Sequence, residues 1–224
     1  MAKVICALAS IGVNMITQRF NPEWYQGTMN VQYMGMLELI ATIANIPYME
    51  GGSRIAQGGM KLIEIGSYMG ESTAIFGMSG MFSEIHAIDP HDGVEEFNVK
   101  HFHSWETVAN EFKINTRHWD YIKHHKDYSY NVADQFEDAE YDMLYIDGAH
   151  DYDSVVRDIE LYMPKLKDGG IVCGHDYMMP MLDEETMCVE WKDAPHPGVK
   201  QAINEMLGDP HYKFSDSSWM FLLK

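Results

Sequence analysis

One stretch constrains the fold more than any other: Lys61-Leu62-Ile63-Glu64-Ile65-Gly66-Ser67-Tyr68-Met69-Gly70-Glu71-Ser72-Thr73-Ala74-Ile75. A short apolar run breaks at two glycines four residues apart and resumes as a second apolar run with Ser72 and Thr73 near its start. That pattern reads as strand, tight turn and helix. Gly66 and Gly70 have no Cβ, so the backbone can bend sharply and a ligand can approach it closely. The free N–H groups of the helix start face the same space. A lone G-x-x-x-G is equally the mark of an ordinary strand-to-helix turn.

The next strand narrows the choice. Ser79-Gly80 ends the helix, and Glu84-Ile85-His86-Ala87-Ile88-Asp89 is a second strand that stops at Pro90. Strand, helix, strand is a crossover unit; its strands lie parallel and ligands bind at their carboxyl ends. Asp89 then ends the strand beside the glycine turn, where a carboxylate can accept both hydroxyls of a ribose. It is equally suited to capping a turn before Pro90.

The alternation continues with a third strand at Tyr121–His125, a short helix through Val132 and Phe136, and a fourth strand at Tyr141–Asp147 followed by Gly148-Ala149-His150-Asp151-Tyr152. Helical periodicity returns at Val155, Val156, Ile159, Leu161 and Met163 and closes at Pro164. Lys167-Asp168-Gly169-Gly170 turns into a fifth strand, Ile171-Val172-Cys173, which ends at Gly174-His175-Asp176-Tyr177. Two neighbouring units therefore end in carboxylates and histidines on one side of the sheet. His124 and His125, adjacent on a strand, point to opposite faces and do not share an ion; they and His101 and His103 read as structural or solvent-facing.

Around this centre, Tyr33, Met36, Leu37, Ile40, Ile43 and Ala44 recur at helical spacing, so Asn30–Ala44 is an amphipathic helix, ended by Pro47. Residues 1–59 form an N-terminal helical extension of a single domain, and residues 60–224 carry the ligand site. The segment before residue 29 has no readable chemistry. Glu95–Phe112 reads as one helix with Trp105, Val108, Ala109 and Phe112 on one face. Met178–Pro197, with three prolines, reads as an irregular connection or lid. Gly198–Leu207 is helical, and Tyr212–Phe214 with Trp219–Leu223 forms a terminal hairpin-like pair of strands.

At 224 residues the chain suits one decorated α/β domain. Its 16 Lys and Arg against 34 Asp and Glu leave a net charge of −18, which repels nucleic-acid phosphates and anionic bilayers. A small acceptor, no nucleic acid and no membrane are expected as partners. The three cysteines, Cys6, Cys173 and Cys188, lack C-x-x-C spacing and point to a reducing, cytoplasmic setting. The run after Lys3 is broken by Ser10 and Gly12 and reads as mature protein, and no apolar stretch nears the ~20 residues that span a bilayer. The Met-rich apolar extension suits packing against a second subunit, so a homodimer is an open expectation.

Glu64-Ile65-Gly66-Ser67-Tyr68-Met69-Gly70-Glu71-Ser72-Thr73, Ala87-Ile88-Asp89-Pro90, Tyr145-Ile146-Asp147-Gly148-Ala149-His150-Asp151-Tyr152, Lys165–Gly170 and Gly174-His175-Asp176-Tyr177 occur in one order. In that order they resemble the class I S-adenosylmethionine (SAM)-dependent methyltransferases, in the small branch with an Asp-Gly-x-His motif after the fourth strand. The resemblance covers residues 60–207. It implies a Rossmann-like α/β fold: a seven-stranded, mostly parallel sheet with helices on both faces and an antiparallel C-terminal strand. It implies SAM as cofactor, with Glu64, Gly66, Ser67 and Gly70 around its methionine part, Asp89 at the ribose hydroxyls and Ser129 at the adenine. Related sugar and catechol O-methyltransferases hold Mg²⁺ with aspartates near Asp147 and Asp176; here His175 stands where an acidic residue or Asn is often found, so the metal is an open second cofactor with His175 as a further ligand.

Methyl transfer is an in-line displacement, and a hydroxyl acceptor needs activation by a base or a cation. Neutral His150, with Asp147, is the expected catalytic group, and a sugar or phenol hydroxyl the expected acceptor. Methyltransferases of nucleic-acid amino groups resemble this fold but carry Pro-Pro and an aromatic residue after the fourth strand, where this chain has Gly148-Ala149-His150; Asp209-Pro210-His211-Tyr212 lies too near the C-terminus to replace that motif. A cofactor-binding accessory protein without transferase activity, or an oxidoreductase on a similar sheet, are the alternatives from other classes.

Overall fold

The structure, a computed structural model, describes residues 29–46, 59–92, 104–182 and 189–224. The expectations for residues 1–28, for the loop after Pro47, for His101 and His103 and for Cys6 and Cys188 fall outside these residues. In chain order the elements are α1 (Met29–Asn45), β1 (Met60–Ile65), α2 (Glu71–Ser79), β2 (Phe82–Ile88), α3 (Trp105–Thr116), β3 (Ile122–His125), α4 (Ser129–Val132), β4 (Tyr141–Ile146), α5 (Tyr152–Tyr162), β5 (Leu166–Gly174), β6 (Met178–Leu182), β7 (Val189–Asp193), α6 (Pro197–Met206), β8 (Tyr212–Lys213) and β9 (Trp219–Leu222).

Seven strands form one sheet in the order β3-β2-β1-β4-β5-β9-β8. Strands β1 to β5 are parallel, and β9 runs antiparallel to β5, with Gly174 opposite Trp219. The strand order reverses between β1 and β4, and in open α/β sheets ligands bind at the carboxyl ends of the strands at such a switch point.

Alternation along β1 explains the layers. Ile63 and Ile65 face a core shared with Val155 and Ile159 of α5 and Val199, Ala202 and Ile203 of α6. Leu62 faces the other core, built with Met36, Leu39 and Ile43 of α1 and Ile75 and Phe76 of α2. Strands buried on both faces read as near-continuous apolar runs, which is what made β1 and β4 legible. The methionine of α1 that the periodicity placed inward, Met36, is core. Among the described residues no helix is long and apolar enough to cross a membrane.

Three expectations need correction. The helix expected from Glu95 starts at Trp105: Ser104 is extended (φ −177°) and its Oγ accepts the Thr107 N–H, a cap that apolar spacing alone does not reveal. Lys167–Gly170 is not a free turn but part of β5, where the pairing register to β4 shifts and Gly169 takes φ +71°, a bulge inside the strand. The connection expected at Met178–Pro197 contains a two-stranded antiparallel hairpin, β6 with β7, in which Met178 pairs with Asp193. Each strand of a two-stranded ribbon keeps one unpaired edge, which is where a strand tolerates a proline such as Pro180.

Candidate active site

The turn after β1 is built by backbone. Gly66 (φ +85°) and Gly70 (φ +78°) are left-handed, and the Gly66 and Ser67 amides donate to the Ile88 carbonyl of β2 at 2.9 and 3.3 Å. A Cβ on Gly66 would lie 2.0 Å from the Asp147 carbonyl oxygen, and one on Gly70 would lie 2.9 Å from Phe112. The missing side chains thus admit the β4–α5 turn and helix α3, so the close approach that the glycines permit is first of all an intramolecular one. Between them Tyr68 holds φ +43°, an uncommon conformation for a bulky residue.

Asp89 closes the same turn from the next strand. Its Oδ2 accepts the Tyr68 amide and its Oδ1 the His91 amide, both at 2.8 Å, and it is only 9% exposed. His91 Nε2 in turn lies 2.7 Å from the Tyr68 carbonyl oxygen, so the carboxylate and the imidazole together clamp a strained turn. Ser67 is buried, and its Oγ has no hydrogen-bond partner among the described residues.

Glu64 is fully buried beneath the start of α2, where it accepts hydrogen bonds from the hydroxyls of Ser72 and Thr73. Burial pushes its pKa up to about 7, against the opposing effect of those hydroxyls. The Ser129 hydroxyl donates to Asp158 Oδ1 at 2.5 Å, and its carbonyl accepts the Tyr162 hydroxyl. Asp158, which sequence reasoning did not single out, is buried, and burial raises its pKa to about 6.

The carboxyl ends of β4 and β5 bring four predicted residues together. His150 Nε2 lies 2.9 Å from Asp176 Oδ2 and 3.9 Å from Asp147 Oδ1; His175 Nδ1 lies 3.3 Å from Asp176 Oδ1 and 3.8 Å from Asp147 Oδ1. Asp176 adopts φ +63°, so its position is held by its surroundings against the backbone's preference. Two further groups, which no sequence motif marks, complete the cluster. His196, ahead of α6, stacks on His150 with ring centroids 4.1 Å apart and planes 20° apart. Ser217, from the turn between β8 and β9, places its Oγ 3.2 Å from His175 Nε2.

The electrostatics overturn the neutral His150 expected from sequence. Burial alone would lower both imidazoles, but Asp147 and Asp176 outweigh it and carry His150 to about 9 and His175 to about 10. Burial acts upward on Asp176 as well, yet the bonds from His150 and His175 hold it well below the usual carboxylate range, while burial raises Asp147. The two carboxyl groups thus hold both imidazoles towards their protonated forms. Ligand atoms of Asp147, His175 and Asp176 all lie within 4.8 Å of one another, as do those of His150, Asp176 and His196. Carboxylate oxygens with an imidazole nitrogen are a chemically suitable donor set for a divalent cation.

An open, mostly parallel α/β sheet with a glycine turn on its first strand, an acid on the second and a polar cluster beyond the switch point defines a Rossmann-like protein with the methyltransferase strand order. The chain belongs to the methyltransferase domain family, whose model matches residues 63–177. It is 29% identical over 154 residues to an uncharacterized protein of Acanthamoeba polyphaga mimivirus, covering 66% of this chain and 59% of that protein's length. Among solved structures, an O-methyltransferase of Bacillus cereus in complex with SAH has a TM-score of 0.50 at 13% identity over 99% of this chain and 91% of that one. The O-methyltransferase TomG of Streptomyces achromogenes, involved in tomaymycin synthesis and in complex with SAM, has a TM-score of 0.53 at 11% identity over 98% and 89%. At such identities the two structures share the fold with this chain. Ser217 and His196 both lie beyond the segment that the family model matches.

Proposed function

We propose that the chain transfers a methyl group from SAM to a hydroxyl of a small molecule, a sugar or a phenol, with His150 as the base. The observation that carries this proposal is the position of His150, 2.9 Å from Asp176 across the ends of β4 and β5, beside the glycine turn that packs on the Asp147 carbonyl. The turn suits SAM because Ser67 Oγ, buried and without a hydrogen-bond partner among the described residues, can supply a polar contact there. Asp89, although it accepts two amides, has further lone pairs on each oxygen for ribose hydroxyls. The cofactor, when bound, supplies a methyl group on a positively charged sulfur.

Asp147, Asp176 and His175 are the residues that would hold a divalent cation. Such a cation lowers the pKa of an acceptor hydroxyl. A nitrogen donor in the set suits Mn²⁺ at least as well as Mg²⁺, which prefers oxygen throughout. Asp147 and Asp176 release their hold on the imidazole protons once their negative charge is otherwise neutralised, and His150 is then free to accept the acceptor's proton.

Calorimetry with SAM and with NAD, followed by detection of S-adenosylhomocysteine over a panel of sugars and phenols, tests the proposal. Expected are SAM binding at one site per chain and release of S-adenosylhomocysteine with at least one hydroxyl acceptor. Preference for NAD would favour an oxidoreductase, and SAM binding without turnover would favour an accessory cofactor-binding role.

A further inference from the structure

His175 is held from a part of the chain far from it in sequence. Ser217 is fully buried, sits at φ +77°, and places its Oγ 3.2 Å from His175 Nε2. A serine persists in that conformation only where its surroundings over-determine it, and here they do. The Ser217 amide donates to the Phe214 carbonyl at 3.2 Å, the Ser217 carbonyl accepts the Tyr177 amide at 3.1 Å, and the Ser218 amide donates to Asp216 Oδ1 at 2.8 Å. Helix α1 locks the turn from outside: Glu38 Oε2 accepts both the amide and the hydroxyl of Ser215, and Asp216 lies against Gly35, where a Cβ would be 2.0 Å from its Cγ. The backbone of His175 is fixed as well, by the Trp219 indole N–H donating to its carbonyl at 3.0 Å.

We propose that Ser217 is the positioning residue of His175: its hydroxyl oxygen accepts the Nε2–H, which leaves Nδ1 as the ring atom presented to Asp147 and Asp176. An imidazole has two distinct nitrogens, and the partner of one decides what the other can do. In the protonated ring Nε2 carries a hydrogen for this bond, and in the neutral ring it does so in the Nε2–H tautomer, the one that Ser217 selects when its oxygen acts as acceptor. The consequence for a cation at Asp147 and Asp176 rests on the function proposed above; the hydrogen bond itself does not.

Ser217→Gly removes the hydroxyl while keeping a residue suited to φ +77°, so the turn survives. In metal-free protein with ¹⁵N-labelled histidine, the wild type should give a His175 Nε2–H signal protected from solvent exchange, and Ser217→Gly should lose it to exchange broadening. A signal unchanged by the substitution overturns the proposal, as does its absence from the wild type. Mn²⁺ titration adds a second readout: Ser217→Gly should weaken binding by about 10–100-fold, and add nothing in a His175→Ala background. Equal weakening in that background would mean that Ser217 acts on the fold and not through His175. A wild type that binds no Mn²⁺ would remove the cation from the proposed function, while the exchange of the Nε2 proton still decides the role of Ser217.

Discussion

His150 and Asp176, in the turns that follow the neighbouring strands β4 and β5, meet at 2.9 Å, a pair that ties the two turns together at the carboxyl side of the sheet. Each residue is 20% exposed or less at its side chain, so the pair is shielded enough to be strong and open enough to meet a ligand. In the proposed function, this pairing holds the proton that His150 must lose before it can act as base. The two facing carboxylates hold the His150 imidazole towards its protonated form.

Loss of His150 should therefore act on chemistry and not on cofactor binding. His150→Ala is expected to cut turnover by roughly 10²–10⁴-fold with SAM affinity nearly unchanged, measured by S-adenosylhomocysteine release and calorimetry. Full turnover in this variant would remove His150 as the base.

Chelation separates two ways of activating the acceptor. If Asp147, Asp176 and His175 hold a required cation, EDTA should abolish turnover and Mn²⁺ or Mg²⁺ should restore it, with restoration lost in Asp176→Asn. Activity that survives both chelation and His150→Ala would sink the mechanism while leaving the family assignment in place.

Asp89 holds the Tyr68 and His91 amides, so its removal should disturb the turn as well as any ribose contact. Asp89→Asn keeps an acceptor oxygen for one amide and is the gentler test; SAM affinity should fall by about 1–3 kcal/mol. Unchanged affinity by calorimetry would take Asp89 out of the cofactor site.

Two of the positive-φ glycines, Gly66 and Gly169, should differ sharply. Gly66→Ala drives a Cβ to 2.0 Å from the Asp147 carbonyl, whereas a Cβ on Gly169 meets nothing within 4 Å. Gly169→Ala should cost only the left-handed penalty of about 1–2 kcal/mol, and Gly66→Ala about 3–5 kcal/mol, since backbone strain and overpacking add. Equal losses in a denaturant titration would contradict the close approach of the two turns.

Glu64 should make stability depend on pH. Its pKa is about 7 in the fold against 4.5 unfolded, so its contribution is fully present below about pH 4.5 and is lost as pH rises through 7. The loss amounts to about 3 kcal/mol. Glu64→Gln should flatten the stability profile across that window relative to the wild type, and a variant with the same slope would show that Glu64 titrates normally.

Sequence alone determined the parts whose signals are local. The apolar run and two glycines specify β1, its turn and α2, because strand burial and left-handed backbone each restrict residue type at their own position. The crossover rule then places Asp89, Asp147 and Asp176 at one end of the sheet without any coordinates. Helix starts were less legible: the Ser104 cap competes with apolar spacing that runs on before it, and the Gly169 bulge mimics a free turn because both call for the same φ.

Only tertiary structure decided the rest, because it depends on groups distant in sequence. Gly66 makes room for the Asp147 carbonyl, which no turn motif encodes. Ser217 and His196 reach His175 and His150 from elements that carry no motif of their own. The charge of the imidazoles came from two opposed effects, burial lowering their pKa and two nearby carboxylates raising it further, and the sign of that difference is fixed by distances of 2.9 to 3.9 Å that a linear sequence does not contain.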